Sequence, residues 1–237
     1  MISTGHLLVT LSLIGREAIY LIGLTILFRQ WKRAMPHYYT DLPFMFAFMM
    51  LIMSIYTPIE LLFVAFYPTL SIETLFGQIS YLLVYNLVTL VSGMMLVLLL
   101  IIWFPKHKSR ISGVLIGWII ITEIAIFAAA FINIGIMDIF LMVISLPTYV
   151  VFIVTFYFCY YQKRLSNIHS LLIGTGMIIT LISQLMYPIL SQIGIRLVGV
   201  YTDATWPAML VWLLGYIIMI LGFTRPAPYA KPINQLE

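Results

Sequence analysis

Long apolar runs alternate with short polar gaps along the whole chain, and this pattern predicts the class of protein. Seven of the runs are close to the length of about 20 residues that an α-helix needs to cross about 30 Å of hydrocarbon. We therefore predict an all-α integral membrane protein in which seven transmembrane helices form one bundle. The predicted spans are residues 7–28, 42–66, 78–104, 112–135, 139–161, 169–193 and 206–223, followed by a proline-rich tail at 224–237.

Basic residues between the runs predict the orientation of the bundle. They concentrate in the first, third and fifth gaps, whereas the second, fourth and sixth gaps are poor in them. Because short loops rich in Lys and Arg stay in the cytoplasm, the N-terminus is predicted to lie outside and the tail inside. The first, third and fifth gaps contain Arg29, Lys32, Arg33, His37, Lys106, His107, Lys108, Arg110, Lys163 and Arg164. The charged residues of the other gaps are Glu73, Asp138, Arg196 and Asp203.

Composition agrees with this class. The chain is 63% hydrophobic and 8% charged, whereas about a quarter of the residues in soluble domains are charged. Its 237 residues are nearly filled by the spans, so we predict a single domain covering 1–237 in the plasma membrane. The net charge of +4 comes from the basic gaps. It predicts contact with anionic lipid head groups rather than with nucleic acid.

Charged residues inside the spans are the sharpest local feature. Arg16 lies nine residues beyond Leu7, which places it about 13 Å deep. A charge there costs about 2.5–3.5 kcal/mol, so it requires a partner. Measured from the opposite face of the membrane, Glu123 lies at a depth of about 16 Å along its span. This similar depth makes it the predicted partner of Arg16. Glu60 is about 27 Å along its span and is predicted to lie at the outer edge.

A polar layer near the middle of the membrane follows from these depths. Its two interpretations are a structural clamp that fixes helix register and a site for a ligand, proton or ion, which intramembrane ionisable residues often mark. Setting the charge of Arg16 against those of Glu17 and Glu123 leaves one acid in excess. Both interpretations of the layer stay open. The predicted layer consists of Arg16, Glu17, Asn86, Glu123, Gln184 and Tyr187.

Two local patterns predict close packing. Thr180, Gln184, Tyr187 and Ser191 share one face of the sixth span, which indicates that this face lines the bundle interior. The pair Gly113 and Gly117 has the G-x-x-x-G spacing that permits tight helix contact, and we expect that contact within the bundle rather than in a dimer.

The residues present exclude several kinds of chemistry. All four histidines lie at span ends or in gaps, so none is placed to ligate a haem inside the bundle, and no zinc-ligand spacing occurs. Tyr187-Pro188 followed by Ile193-Gly194 resembles the sixth helix of microbial rhodopsins, but residues 206–223 contain no lysine that could bind retinal covalently. We expect no cofactor, no metal and no enzymatic activity.

The favoured function is that of a non-catalytic polytopic membrane protein, either receptor-like or an accessory subunit of a larger membrane complex. Short gaps leave no room for an output domain, so another membrane protein is the expected partner. The alternative is a small proton- or cation-coupled transporter that uses Glu17 and Glu123. A membrane enzyme acting on lipid is the least favoured class, because no catalytic constellation is recognisable.

Overall fold

A computed structural model describes residues 4–33, 41–65, 75–104, 108–132, 134–198 and 204–230. These residues form seven α-helices, which confirms the prediction of an all-helical bundle. Among the described residues, the helices long and apolar enough to cross a membrane are α1, α2, α6 and α7. The helices are α1 Thr4–Arg33, α2 Leu42–Ala65, α3 Leu75–Trp103, α4 Lys108–Ile132, α5 Ile134–Tyr161, α6 Ser170–Val198 and α7 Trp206–Thr224.

Several helices begin before the apolar run that predicted them. Lys108 is the first residue of α4 and Asp138 lies in α5, although both were predicted in gaps. A helix satisfies its own backbone hydrogen bonds, so it need not stop where the apolar residues do. Other predicted gap residues lie outside the described part of the chain, namely His37, Glu73, Lys106, His107 and Asp203.

Six of the helices close into a ring. Neighbours pack in the order α1, α2, α3, α5, α6, α7 and back to α1, while α4 packs outside the ring against α3 and α5. Aromatic rings fill the interior: Phe46 of α2 lies 4.3 Å from Phe223 of α7 and 5.6 Å from Phe152 of α5, between ring centroids. Many outward-facing side chains are Ile, Leu or Val, as is typical of helices surrounded by lipid.

Helices α6 and α7 pack closely against each other. A Cβ atom added at Gly176 would stand 2.6 Å from the Gly215 carbonyl oxygen, and one at Gly222 would stand 2.7 Å from Ile173 Cγ1. The prediction that Gly113 and Gly117 make such a contact is wrong for the described residues, because none of their atoms lies within 4 Å of either Cβ position. These glycines belong to α4, which is outside the ring.

The helices alternate in direction, so their ends gather at two opposite ends of the bundle. At one end, Gln30 Nε2 of α1 donates to the Phe223 carbonyl of α7 (2.9 Å), and Trp103 Nε1 of α3 donates to Thr155 Oγ1 of α5 (3.0 Å). We call this the basic end, because its exposed cationic residues are Arg29, Lys32, Arg33, Lys163, Arg164 and Arg225.

The segment after α7 packs against the α5–α6 connection at the basic end. The Ala227 backbone N–H donates to the Ser166 carbonyl at 3.0 Å, and the Tyr229 hydroxyl donates to the Leu165 carbonyl at 3.2 Å. The backbone N–H of His169, just before α6, donates to the Gly222 carbonyl at 2.8 Å. These bonds tie the α5–α6 connection to the end of α7.

Candidate functional site

Arg16 is buried inside the ring with an acidic partner from the neighbouring helix. Its Nη2 atom forms an ion pair with Glu60 Oε2, and the side chains are only 3% and 16% exposed. The prediction that Glu123 is this partner is wrong, because Glu123 belongs to α4 outside the ring. Side chains tilt toward the N-terminus of their own helix. In antiparallel α1 and α2, Arg16 and Glu60 therefore lean toward each other, which closes the difference in depth.

Aromatic rings surround the guanidinium. Arg16 Cζ lies 5.1 Å from the ring centroid of Tyr56 and 5.5 Å from that of Trp212, distances at which a cation is attracted to a ring face. One turn along α1, the Tyr20 ring packs edge-on against Tyr216, with centroids 5.0 Å apart, and Trp212 stacks on Tyr216 at 5.9 Å. We call this set the arginine cluster: Arg16, Tyr20, Tyr56, Glu60, Trp212 and Tyr216.

Spacing along two helices explains how the cluster assembles. Arg16 and Tyr20 are four residues apart on α1, and Trp212 and Tyr216 are four residues apart on α7. Residues at this spacing lie on one face of a helix. Since α1 packs against α7 in the ring, the two pairs meet face to face.

A small cavity of ≈ 20 Å³ adjoins the cluster, which is about enough room for one water molecule. Tyr216 belongs to both the cavity and the cluster. Methionine is flexible and polarisable, and it is common where a surface must adapt to different occupants. We call this cavity the methionine chamber; it is lined by Phe46, Met49, Met50, Met53, Val91, Met95, Tyr149, Met177, Tyr216 and Met219.

Three buried donors in the cluster have no hydrogen-bond partner among the described residues: Arg16 Nε, Tyr20 Oη and Trp212 Nε1. The Tyr216 hydroxyl interacts with both Tyr20 and Trp212, yet neither contact meets the geometry of a hydrogen bond. Leaving a buried donor unpaired costs about 1–3 kcal/mol. An added hydrogen-bond acceptor would therefore stabilise the arginine cluster.

Gln184 contacts a residue that lines the chamber, whereas Tyr187 packs elsewhere. Gln184 Nε2 donates to the Tyr149 hydroxyl at 3.0 Å, and Tyr149 lines the chamber. Tyr187 packs against an apolar cluster formed by Val9, Leu13 and Met209, toward the end of the bundle opposite the basic end. Gln184 and Tyr187 were predicted to share one face of the sixth span, but their surroundings in the structure differ.

The remaining residues of the predicted layer are not brought together. Glu17 lies beside Thr57, and its Oε2 atom has no partner among the described residues. Asn86 Nδ2 donates to the Leu82 carbonyl of its own helix at 2.6 Å. Glu123 is partly buried and forms no ion pair within the described part of the chain.

Hydroxyl groups in the helices are mostly satisfied by their own backbone. Thr180 Oγ1 donates to the Gly176 carbonyl at 2.9 Å, and Ser12 Oγ donates to the Leu8 carbonyl at 2.8 Å. This bond to the preceding turn is common for Ser and Thr in helices. Ser183 is an exception, because its Oγ donates to the Ala208 carbonyl of α7 at 2.6 Å. Hydroxyls alone therefore do not mark the site.

The methionine chamber and the aromatic part of the arginine cluster were missed by sequence reasoning. The chain has 14 methionines, and six of them line the chamber. Methionine and aromatic residues are ordinary core residues of membrane helices, so their pattern becomes informative only when the order of helices in the ring is known. Within the described residues, no group of His, Cys, Asp and Glu is placed to hold a metal ion.

Comparison with protein-family models, curated proteins and solved structures finds no match for this chain. The geometry of the ring and its chamber therefore carries the functional argument.

Proposed function

We propose that this chain is a receptor-like plasma-membrane protein with seven spans that binds a small apolar molecule in the methionine chamber. The chamber is the observation that carries the proposal. It lies inside the ring, and its lining combines six methionines with two tyrosines. Ligand sites in proteins are typically concave and apolar, with a few polar groups that fix orientation. Tyr149 and Tyr216 are such groups here.

Seven spans and an external N-terminus are part of this proposal. Besides the four apolar helices, α3, α4 and α5 have 29, 25 and 28 residues, each more than the roughly 20 needed for a span. The alternation of helix direction and the exposed cations at the basic end support a cytoplasmic position for that end.

Receptor-like function fits the lining of the chamber better than catalysis does. The lining residues include no carboxylate, imidazole or amine, the groups on which general acid–base catalysis mostly relies. An occupant would instead displace methionines of α2, α3, α6 and α7, and so alter how these helices pack. We propose that a separate membrane protein docked on the ring senses this change.

The transporter alternative is supported by Glu17. Arg16 forms its ion pair with Glu60, and Glu17 Oε2 has no hydrogen-bond partner among the described residues. A coupled transporter needs a carboxylate that changes protonation during its cycle. Uptake driven by a pH gradient in reconstituted vesicles, and abolished by Glu17→Gln, would replace the receptor proposal with this one.

Binding in the chamber is testable by NMR spectroscopy of isotope-labelled methionine methyl groups in lipid nanodiscs. We expect α-methylstyrene, a small planar hydrocarbon, to shift the signals of Met53, Met95, Met177 and Met219 in a saturable manner. Met209 is the internal control, since it is buried in the separate apolar cluster. Shifts that never saturate, or that affect Met209 equally, would show partition into the lipid and would contradict the proposal.

A further inference from the structure

The unpaired donors of the arginine cluster restrict what an occupant of the chamber can be. Arg16 is 3% exposed and Tyr20 is fully buried, and Arg16 Nε, Tyr20 Oη and Trp212 Nε1 all lack a partner among the described residues. A guanidinium N–H and an indole N–H donate hydrogen bonds and cannot accept them. The missing partner is therefore a hydrogen-bond acceptor.

The donors belong to residues that pack beside Tyr216, and Tyr216 lines the chamber. The Tyr20 and Trp212 rings both pack against the Tyr216 ring, at centroid distances of 5.0 and 5.9 Å. A molecule that lies among the methionines and extends past Tyr216 would thus meet these donors.

Charge decides between a neutral and an anionic acceptor. The positive charge of Arg16 is already matched by Glu60. A carboxylate or phosphate on the ligand would add an unmatched negative charge in a buried place, which is costly in a medium of low dielectric constant. A carbonyl oxygen accepts two hydrogen bonds and carries no net charge.

We propose that the methionine chamber takes a neutral apolar molecule ending in a carbonyl group, whose oxygen accepts hydrogen bonds from Tyr20 Oη and Trp212 Nε1. This inference rests on the proposed function and adds the chemical class of the ligand. The resting cavity of ≈ 20 Å³ has room for about one water molecule, so a ring enters by displacing methionine side chains. The fixed donors then orient the carbonyl, while the adaptable methionines accommodate the apolar body.

Two probes of nearly the same shape test this inference. Acetophenone carries a carbonyl group where α-methylstyrene carries a C=CH2 group. Affinities are measured from the methionine methyl signals and expressed relative to the concentration of each probe in the nanodisc lipid. We expect acetophenone to bind roughly tenfold more tightly, as one well-formed hydrogen bond allows. The infrared C=O stretch of bound acetophenone should also move to lower frequency.

Variants locate the effect. Tyr20→Phe keeps the ring and removes the donor, and Trp212→Phe replaces the indole with a smaller aromatic ring that has no donor. Each should reduce the affinity for acetophenone toward that for α-methylstyrene. Tyr157→Phe is the matched control, because its hydroxyl pairs with Thr175 Oγ1 at 3.2 Å and Tyr157 is not part of the arginine cluster. It should leave the preference for acetophenone unchanged.

The outcomes separate this inference from the proposed function. Equal affinity of the wild-type protein for both probes would overturn the carbonyl assignment and leave the chamber as a binding site. A preference for acetophenone that persists in both Tyr20→Phe and Trp212→Phe would likewise overturn the carbonyl assignment. If neither probe moves the methionine signals in a saturable way, the receptor proposal itself fails. The wild-type comparison decides the matter even if a variant does not fold.

Discussion

At the scale of single residues, the buried charge of Arg16 determines what surrounds it. A guanidinium among apolar helices needs a counter-charge and further favourable contacts, since an isolated charge in the membrane is costly. Glu60 supplies the counter-charge, and the rings of Tyr56 and Trp212 supply attractive faces. Glu123, on α4 outside the ring, does not share in this arrangement. We therefore infer that the stability of the ring depends on Arg16 and Glu60 as a unit.

Removing either partner of this pair should destabilise the protein more than removing both. Glu60→Leu leaves a buried cation unmatched, and we expect a loss of about 3 kcal/mol in the free energy of unfolding. The double variant Arg16→Leu/Glu60→Leu should recover much of that loss. Unfolding in mild detergent with added SDS measures each value.

The control for this prediction is Glu123→Leu, which combines with Arg16→Leu in a second double variant. Because α4 lies outside the ring, these two effects should add within about 0.5 kcal/mol. Strong coupling of Arg16 to Glu123, together with additive effects of Arg16 and Glu60, would contradict the pairing seen in the structure.

At the scale of helices, glycines allow α6 and α7 to approach closely. Gly176 and Gly215 face each other across α6 and α7, and the groups nearest to their added Cβ atoms include rigid backbone. In membranes the hydrophobic effect does not hold helices together, so dispersion contacts between them matter more. Small residues allow the close approach that these contacts need. The α6–α7 pair also holds Trp212 and Tyr216 of the arginine cluster on the same helix as Gly215. The position of the donors therefore depends on this contact.

Gly176→Ala should lower the stability of the protein by about 1–3 kcal/mol, the usual cost of overpacking. The added methyl group would stand 2.6 Å from Gly215 O and 2.9 Å from the Met219 backbone nitrogen, so the helices must separate. A thermal shift in mild detergent measures the effect. Gly117→Ala is the control, since no described atom lies within 4 Å of that position. Equal midpoints for the two variants would contradict close packing at Gly176.

At the scale of the whole molecule, the apolar runs predicted the helices but not their arrangement. Hydropathy shows where a helix can form, whereas the partner of Arg16 depends on which helices are neighbours. Depth alone favoured Glu123, because nothing in the sequence places α4 outside the ring. The tilt of the side chains, which lets Glu60 reach Arg16, appears only once α1 and α2 are paired. The methionine chamber was not predictable for the same reason, since its lining comes from α2, α3, α5, α6 and α7.

The orientation of the whole bundle gives the last prediction, which is tested by cysteine labelling in intact cells. Cys159→Ser removes the natural thiol, which is buried. With seven spans and an external N-terminus, an impermeant thiol reagent should modify single cysteines placed at Thr4 and Glu73. It should not modify those placed at Lys163 and Arg225 until the cells are opened.

Lys163 is the decisive position in this experiment. It is exposed between α5 and α6, and the three helices α3, α4 and α5 separate it from Glu73. If only α1, α2, α6 and α7 crossed the membrane, Lys163 would lie on the same side as Glu73, and Arg225 would also be external. Labelling at Lys163 in intact cells together with Glu73 would therefore reject seven spans. Protection of Lys163 with labelling of Glu73 is the expected result, because an odd number of crossings between them places the basic end in the cytoplasm.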